Sequence, residues 1–555
     1  MLEKMIHGIL ERKFLKFLIY LITLVMFAGS VYMFPTRMVD AKMLPGKDSN
    51  SFSMYIDLPK GSSYSQTREV TDCIVPLLQK EEEVLSSSIF FGEGMPLDFA
   101  GMVKGDVLRS GQNQADIMVN IEKGEERKER SYDLVQRLRP EIQKECSING
   151  ANIKFIELPA GPPTLADVVA EIYGGKSFES RRAFAKKIAE VFKHQKTLVD
   201  IDVQADEDND RYTMVLNTNK ALESGIGLDQ IKKVLYVGGE GMAIGVINDP
   251  KAENQIPIFV RLGEGRVLKV GSKHEIEKKL SSIKLMNPNG LMIPASKFIK
   301  VVKSKQVPTL TSKNLKKMIN VIATTDQDSQ IYPLLDARAE MLEKMSSEYE
   351  VTPTKFLNLR FKDKKTGEVF DLVWDGELKV TIDTFIDLGI AFIGALVLIY
   401  FLMVIYYQRF ALAGAIVMAS FLSFIGVMIG HYVMDQFTPF KFYLTATSLI
   451  GFIALIGINS RNSLLIVDFA KQLMFENSLS PNKAIAKATA TRAKPILLTV
   501  LAIVFASSLL ASDAVFGGLG VALIGGTLFA YLVSLFFVPL SIQNSIKKMK
   551  EEEGK

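Results

Sequence analysis

GFIALIGINSRNSLLIVDFAKQ, residues 451–472, places a single arginine, Arg461, within an otherwise apolar stretch of helical length. Arg461 lies ten residues before Lys471, the first cation expected at the membrane surface, which corresponds to roughly 15 Å at about 1.5 Å per residue. That depth is about half of a ~30 Å hydrocarbon core. Ionisable residues at such depth usually face a protein interior or a water-filled cavity, so Arg461 is a functional candidate.

An alternative is that the span covers only residues 442–460 and that Arg461 is an ordinary interfacial cation. The apolar run at 464–467, followed by Phe469 and Ala470, would then lie in water. The sequence therefore favours a longer span with Arg461 inside it.

The composition indicates a membrane protein with a large aqueous part, since 48% of the 555 residues are hydrophobic and 23% are charged. The charged residues concentrate between about 35 and 380. Six apolar runs of about twenty residues are long enough to cross a bilayer; they lie near 14–33, 388–407, 411–434, 442–470, 495–512 and 516–540. The first run follows Arg12 and Lys13 and has no small-residue cleavage site after it, so it is predicted to remain as an anchor.

The short loops between these runs keep their cations on one side, which predicts that both termini are cytoplasmic and that region 35–380 is exported. The cations concerned are Arg12, Lys13, Lys16, Arg409, Lys471, Lys483, Lys487, Arg492, Lys494, Lys547, Lys548 and Lys550. The net charge of +5 is spread in this way and forms no stripe suited to nucleic acid.

The exported region alternates strand and helix patterns. Strand patterns at 51–58, 85–92, 114–121 and 151–158 alternate with helical patterns at 65–80 and 131–143, which predicts a split βαβ, ferredoxin-like unit. A Pro/Gly break at 159–163 separates a second, similar unit, whose latter half is interrupted by a glycine- and lysine-rich segment reaching about residue 310.

Two cysteines, Cys73 and Cys146, lie in this region. They can pair in an oxidising exterior, but the spacing does not decide this. Two free thiols are the default expectation.

Three motifs resemble the C-terminal half of a resistance-nodulation-division efflux transporter: residues 44–67, GINSRNSLLIVDFAKQLM at 457–474, and TRAKPILLT at 491–499. The resemblance implies a bacterial inner-membrane protein with a bundle of six transmembrane helices and a large periplasmic α+β region of ferredoxin-like subdomains. The implied domains are a cytoplasmic N-terminus with the first span (1–34), a first porter subdomain (35–160), a second (161–238 and 311–378), a docking-like insertion (239–310), five spans (379–545) and a cytoplasmic tail (546–555).

The resemblance also suggests proton-relay residues. Arg461 falls where many family members have a relay lysine, and Arg492 and Thr499 match a relay-associated arginine and threonine. Asn462 and Asp468 belong to the same motif, although Asp468 lies near the cytoplasmic edge, where its side chain can reach water. Simpler roles remain open, with Thr499 bonding to its own helix and Arg492 serving as a surface cation.

Arginine cannot release a proton in an accessible pH range, so Arg461 can pair but cannot titrate. A relay then needs carboxylates near mid-depth, and the apolar runs contain none, because Asp383, Asp387 and Asp513 lie near the outer edge. In the family these aspartates belong to the N-terminal half. We therefore expect a separate or missing N-terminal half that carries them. The initiating Met1 and the charged terminal sequence EEEGK favour a separately encoded chain.

The family further implies a homotrimer, a periplasmic adaptor and an outer-membrane channel. Met95, Phe99 and Met102 lie between glycines and are candidates for binding an amphiphilic substrate; an ordinary packed loop is the simpler interpretation.

No phosphate-binding loop, nucleophile elbow or zinc signature is present, and the four histidines are dispersed. We expect no enzyme activity, cofactor or resident metal. Proton-coupled export of amphiphilic drugs ranks first, a Cu/Ag-type heavy-metal exporter second, and a secretion accessory resembling SecD is a rival.

Overall fold

The computed structural model of the chain describes residues 1–252, 254–263, 268, 271–326, 329–438, 441–513 and 515–553. Its helices are α1 (Leu2–Glu11), α2 (Lys13–Tyr32), α3 (Tyr64–Leu78), α4 (Phe99–Lys104), α5 (Ser131–Cys146), α6 (Phe178–Lys193), α7 (Thr218–Glu223), α8 (Leu228–Gly239), α9 (Lys273–Ser282), α10 (Ile331–Lys344), α11 (Glu377–Tyr407), α12 (Phe410–Phe421), α13 (Phe424–Phe437), α14 (Ala446–Phe475), α15 (Pro481–Ala511) and α16 (Gly517–Glu553).

The strands of the same residues are β1 (Ser51–Asp57), β2 (Val84–Glu93), β3 (Ser110–Ile121), β4 (Asn152–Ile156), β5 (Val168–Gly174), β6 (Leu198–Val203), β7 (Asp210–Leu216), β8 (Met242–Ile247), β9 (Ile256–Val260), β10 (Lys284–Met286), β11 (Met292–Pro294), β12 (Ile299–Lys305), β13 (Thr311–Lys313), β14 (Lys316–Thr325), β15 (Tyr349–Pro353), β16 (Leu359–Asp363) and β17 (Val369–Asp375).

Six segments of the described residues are long and apolar enough to cross a membrane: α2, α11, α12 with α13, α14, α15 and most of α16. The third of these is broken between Phe421 and Phe424. The Ser423 hydroxyl donates to the Ser420 carbonyl oxygen (2.7 Å), and the Ser420 hydroxyl lies 3.0 Å from that of Ser460 on α14. Serine side chains thus partner polar groups at the break, as an apolar environment requires.

Close helix packing holds the last spans together. A Cβ at Gly518 of α16 would lie 2.2 Å from the Thr445 hydroxyl oxygen, and one at Gly526 would lie 2.1 Å from a Leu455 methyl carbon. Ala522, between them, is fully buried. These small residues at four-residue spacing let α16 approach α14, which is the packing role that their pattern predicts.

The first sheet has the order β2-β3-β1-β4, with β1 antiparallel to both β3 and β4. With α3 and α5 in the connections, this is the connectivity of a split βαβ unit. Side chains from both helices and from the strands share one buried cluster that includes Ile74, Ile117 and Leu138. The apolar alternation of the strands and the apolar face of each helix converge on this cluster.

Cys73 and Cys146 form a disulfide, so the expectation of two free thiols was wrong. Cys73 is on α3 and Cys146 is the last residue of α5, and the two helices lie side by side on the sheet. Their Cα atoms are 5.7 Å apart, which is within bonding range. The proximity follows from the sheet order, which the cysteine spacing alone does not reveal.

The second sheet has the order β13-β14-β5-β17-β16-β15, and β6 also pairs with β14. Helices α6 and α10 pack on it around Phe184, Phe361 and Phe370. Ion pairs join it to the first subdomain, because Lys154 of β4 contacts Asp202 of β6 (2.6 Å).

Residues 206–309 form a separate compact unit, whereas residues 1–205 and 310–555 form the other. In the smaller unit β7 pairs with β12, and α9 packs beneath them through Ile276 and Leu280. The expected insertion began at 239, whereas this unit also includes β7, α7 and α8. The long-range pairing of β7 with β12, which sequence spacing does not display, accounts for the difference.

Candidate functional site

Arg461 lies halfway along α14, fifteen residues from Ala446 and fourteen from Phe475. At about 1.5 Å per residue, each end of the helix is roughly 20 Å away. Its side chain is on the exposed face of the helix, and among the described residues it has no hydrogen bond or ion pair. Arg461 therefore presents a cation without a partner among the described residues, on the surface of the bundle and midway along the helix.

The helix surface beside Arg461 carries small residues. Gly457 and Ala454, one and two turns away, are also exposed, and a Cβ at Gly457 would have no neighbour within 4 Å. Small residues let another helix backbone approach closely in a bilayer. A second helix can therefore reach the guanidinium along this strip.

The opposite face of α14 is polar but buried. Asn459, Ser460, Asn462 and Ser463 are all at most 4% exposed. Ser460 meets Ser420 at the break of the third span, whereas neither polar atom of the Asn459 amide has a hydrogen-bond partner among the described residues. The middle of α14 is thus polar on both faces.

Asp468 is seven residues beyond Arg461 and is held by tyrosines of α11. The Tyr407 hydroxyl donates to one carboxylate oxygen (2.9 Å), and the Tyr406 hydroxyl lies 3.4 Å from the other. Lys471 lies over the Tyr407 ring, 5.5 Å from its centroid. These contacts tie α14 to α11 near their common end.

Arg492 and Thr499 lie on α15. The Arg492 guanidinium stacks on Phe469 of α14, 4.8 Å from the ring centroid, and its Nε is buried without a hydrogen-bond partner among the described residues. The Thr499 hydroxyl donates to the Pro495 carbonyl oxygen (3.2 Å) of its own helix. Thr499 therefore has the local bond that threonines commonly make in helices.

The structure does not bring the five candidate relay residues into one cluster. Arg492 contacts α14 at Phe469, eight residues and roughly 12 Å along the helix from Arg461. None of the hydrogen bonds or ion pairs among the described residues joins Arg461 to Asn462, Asp468, Arg492 or Thr499.

The three candidate residues of the substrate loop differ in burial. Phe99 and Met102 on α4 are 69% and 62% exposed, whereas Met95 is 6% exposed and packs inside. Leu97, Val107 and Leu108 extend the exposed apolar surface. The loop therefore offers Phe99 and Met102, but not Met95, to a partner or ligand from outside.

Charged residues of the first sheet fix both ends of this loop. The Met95 amide donates to Asp116 (3.1 Å), and Arg109, after the loop, pairs with Asp116 (2.7 Å) and Asp57 (3.0 Å). The Tyr55 hydroxyl donates to Asp106. Burial raises the pKa of Asp116 to about 6 against the opposing effect of Arg109. Burial also opposes ionisation of Asp57, but the charges of Lys154 and Arg109 lower its pKa to about 2.

Sequence reasoning missed Asn459, the loop-anchoring carboxylates and His431. A polar residue in an apolar helix, the signal used for Arg461, was also present at Asn459. His431 is fully buried, with Nδ1 2.8 Å from the Val427 carbonyl oxygen and Nε2 2.8 Å from the Ser448 hydroxyl. The anchors of the loop had no sequence signal, because they depend on strand register.

Comparison with known proteins agrees with this arrangement of an apolar bundle and sheet-bearing region. A family model described as the AcrB/AcrD/AcrF family matches residues 3–541. The chain belongs to this family of resistance-nodulation-division permeases.

Family members similar to the chain include the swarming motility protein SwrC of Bacillus subtilis (strain 168), 23% identical over 97% of this chain and 47% of SwrC. The multidrug/solvent efflux pump membrane transporter MepB of Pseudomonas putida is 24% identical, with the same coverages, and the multidrug export protein AcrF of Escherichia coli (strain K12) is 22% identical over 92% of this chain and 46% of AcrF. The chain thus spans about half the length of these relatives.

Among solved structures, a heavy metal efflux pump superposes with a TM-score of 0.71 at 15% identity, covering 98% of this chain and 52% of that one. At this identity the likeness establishes the fold alone. Members of the family are transporters rather than enzymes, whereas SecD-like secretion, weighed above as a rival, is not indicated by the family match.

Proposed function

We propose that the chain is one half of a proton-coupled efflux pump that exports amphiphilic drugs or related small molecules. The observation that carries the proposal is the position of Arg461, an unpaired cation on an outward face of α14, fifteen residues from one helix end. A cation at that depth is expensive in lipid, and such residues face a polar partner or water.

The partner we infer is the other half of the pump, either a separate chain or a further part of a longer one, with carboxylates at membrane mid-depth. The strip of Ala454 and Gly457 supports close approach of a helix that carries them. Arg461 keeps its proton at all accessible pH values. It therefore acts as the fixed charge, while the partner carboxylates bind and release the transported proton.

Protonation of those carboxylates weakens their pairing with Arg461, and the spans then shift as rigid elements to move the porter subdomains between states. One proton crossing ~150 mV supplies roughly 3.5 kcal/mol, which sustains a gradient of roughly 300-fold for a neutral substrate. Asn462, Asp468, Arg492 and Thr499 are assigned supporting roles. Asp468 and Arg492 fix α14 against α11 and α15 through Tyr407 and Phe469.

For the substrate path we propose the exposed loop side chains, Phe99 and Met102, as apolar contacts, with Met95 supporting them from inside. The assembly we propose is a homotrimer of complete protomers in a bacterial inner membrane. Both termini are then cytoplasmic, the sheet-bearing region is periplasmic, and an adaptor and an outer-membrane channel complete the path. The heavy-metal alternative rests on fold likeness alone, because no contact of the described residues favours it.

The test begins with a tagged pull-down of the chain from native membranes, in search of an equimolar partner with mid-membrane carboxylates. The complex is then placed in proteoliposomes, and accumulation of a fluorescent amphiphilic drug is followed after an imposed proton gradient. We expect Arg461→Ala to abolish proton-driven accumulation. Lys471→Ala, near the end of the same helix, is the matched control and should retain it.

The chain reconstituted by itself should bind drug but show no proton-driven transport. Robust coupling by the chain alone would overturn the proposal, as would an Arg461→Ala complex that transports as well as the Lys471→Ala control.

A further inference from the structure

A cavity of about 610 Å³ lies where the sheet-bearing region meets the helical bundle, within the larger compact unit. Its walls are the segment at 42–48, the end of β4 with the following loop, the segment at 441–445, and the junction of α15 and α16. The volume is within the roughly 300–1,000 Å³ of sites that enclose drug-sized ligands. The relay and loop residues described above do not line it.

Charges of both signs face this cavity. Lys42 and Lys104 share its lining with the carboxylates of Glu157, Asp167 and Glu377. Glu377 interacts electrostatically with both lysines, and Glu157 does so with Lys42. Yet none of the ion pairs among the described residues joins either lysine to any of the three acids. The opposite charges are near one another but are held apart.

Separate contacts keep these charges in place. The Lys104 ammonium donates to the Leu165 carbonyl oxygen (3.0 Å), and that of Lys42 lies 5.5 Å from the Tyr443 ring centroid. The Asp167 carboxylate accepts two bonds of 2.7 Å from Thr325. Charges removed from bulk water cost free energy unless they are paired. Glu157 also lies 3.4 Å from Arg139. A group with both signs, placed between the lysines and the acids, would add opposite charges beside Lys42, Lys104 and Glu377.

The lining also includes further charged residues, Lys47, Asp48, Arg130, Lys441 and Asp513. Apolar side chains lie between them and continue to the bundle. Phe155 and Leu158 come from the sheet side, whereas Met434, Phe442 and Tyr443 come from α13 and the segment before α14. A ligand that fills the cavity therefore meets an apolar wall as well as separated charges. That combination matches a molecule with a charged head and an apolar chain.

We propose that this cavity binds a zwitterionic amphiphile. Its cationic group lies against Glu157 and Glu377, its anionic group against Lys42 and Lys104, and its chain against the apolar wall. Such heads occur both in membrane lipids and in soluble amphiphiles, which share this chemistry. The proposal concerns binding, and it holds whether or not the chain exports what it binds.

Burial also affects the titration of two of the lining residues. Burial raises the pKa of Glu157 to about 7 and lowers the pKa of Lys104. Both directions disfavour the charged forms of these two groups. A bound zwitterion would restore them, so binding should be accompanied by proton uptake or release.

The experiment is calorimetric titration of the full chain in a non-ionic maltoside detergent at about pH 8. The probes share one chain length and differ in head charge: decylphosphocholine, decyltrimethylammonium and decyl sulfate, all below micelle formation. We expect decylphosphocholine to bind roughly tenfold more tightly than either singly charged probe. A short-chain phosphatidylethanolamine is tested as the lipid probe. If it competes for the cavity more strongly than decylphosphocholine does, the natural ligand is a lipid. If it competes more weakly, the natural ligand is a soluble amphiphile.

Substitution of each charge separates the two ends of the site. Glu377→Gln should weaken decylphosphocholine binding roughly tenfold and leave decyl sulfate binding unchanged, whereas Lys104→Gln should weaken it similarly and leave decyltrimethylammonium binding unchanged. Lys144→Gln and Glu145→Gln, exposed on α5 outside the cavity, are matched controls, and thermal unfolding verifies that each variant folds. Equal affinity for the three probes, or equal losses in the cavity variants and the controls, would overturn the proposal.

Discussion

Arg139 and Arg461 lie in two regions of the molecule that differ in how a positive charge remote from bulk water is paired. Arg139, on α5 at the junction of the two sheets, is within 3.4 Å of carboxylate oxygens of Glu157 and Asp200 and within 2.9 Å of Asp326. Arg461, at the expected membrane centre, has no such partner among the described residues. One region completes its pairing inside the chain, and the other does not.

The difference distinguishes a structural charge from an interfacial one. A buried ion pair adds little net stability, but loss of one partner strands the other charge. Arg139 therefore stabilises the fold of the chain, because it lies in the first subdomain and pairs with Asp200 and Asp326, which lie outside that subdomain. Arg461 has no such contact among the described residues, and in the proposed pump its pairing belongs to an assembly.

The largest expected effect is at Arg139. Arg139→Met leaves three carboxylates near one another without their shared cation, and we expect a loss of about 3–5 kcal/mol in the free energy of unfolding. Thermal or denaturant unfolding in detergent measures it. Arg137→Met is the control on the same helix, because Arg137 pairs with Glu81 and Glu129 at the surface and should change stability by less than about 1 kcal/mol. Similar losses in both variants would break the comparison.

The next effect concerns the disulfide of the first subdomain, where Arg139 also lies. Cys73→Ser with Cys146→Ser removes a link across 73 residues, and we expect a loss of about 2–4 kcal/mol. Unfolding with and without reductant measures it, and the double variant should be insensitive to reductant. If the unmodified chain were equally insensitive, the two thiols would not be bonded in solution.

Local patterns predicted the first subdomain well. The strand expected at 51–58 is β1 (Ser51–Asp57), and the helix expected at 65–80 is α3 (Tyr64–Leu78). Apolar alternation and helical periodicity are properties of neighbouring residues, so they are legible in one sequence. The disulfide, the β7–β12 pairing and the cavity depend on contacts between distant segments, and no local pattern encodes them.

For the candidate site, the sequence predicted that Arg461 lies inside a long apolar helix, but not the direction in which its side chain points. Arg461 and Asn459 are two residues apart, yet the first faces outward and the second is buried, because helix rotation is fixed by packing of α16 through residues such as Gly526. Likewise Met95 and Phe99 are both apolar residues of one loop, and the sequence does not distinguish their burial. In the structure the Met95 amide bonds to Asp116 and its side chain is buried, whereas Phe99 is exposed.

A smaller effect sharpens the role of one Arg139 partner. The pKa of Glu157 is raised to about 7 from an ordinary value of 4.5 by burial, so the folded state holds this proton more tightly than the unfolded state. The resulting stabilisation is present below about pH 4.5 and is lost as pH rises through about 7. At about pH 8, Glu157→Gln should therefore be more stable than the unmodified chain by roughly 1 kcal/mol, after allowance for solvent screening. At about pH 5 the two proteins should have similar stability.

Paired unfolding curves at the two pH values measure this difference. Glu141→Gln, exposed on the same subdomain, should show no change with pH relative to the unmodified chain. A Glu157→Gln variant that is destabilised at the higher pH would mean that the Arg139 pair outweighs burial, and that Glu157 is more firmly bound to Arg139 than the distance of 3.4 Å suggests.

The smallest expected effect is at Arg461, and it decides the comparison. In the chain by itself, Arg461→Ala removes a side chain that makes no hydrogen bond or ion pair among the described residues. We expect the free energy of unfolding to change by less than about 0.5 kcal/mol, as for surface positions. Together with its partner half, the same substitution strands the opposing carboxylates, and the complex should dissociate at lower detergent or denaturant concentration than the unmodified complex.

The two measurements must differ for the interpretation to hold, because a residue important to the fold would destabilise the chain in both settings. Arg461→Lys adds a second constraint: it keeps the charge but not the planar guanidinium, so it should preserve most of the complex stability if a point charge suffices. If Arg461→Ala instead cost the isolated chain as much as Arg139→Met does, Arg461 would have an intrachain partner, and the outward face of α14 would no longer indicate a missing half.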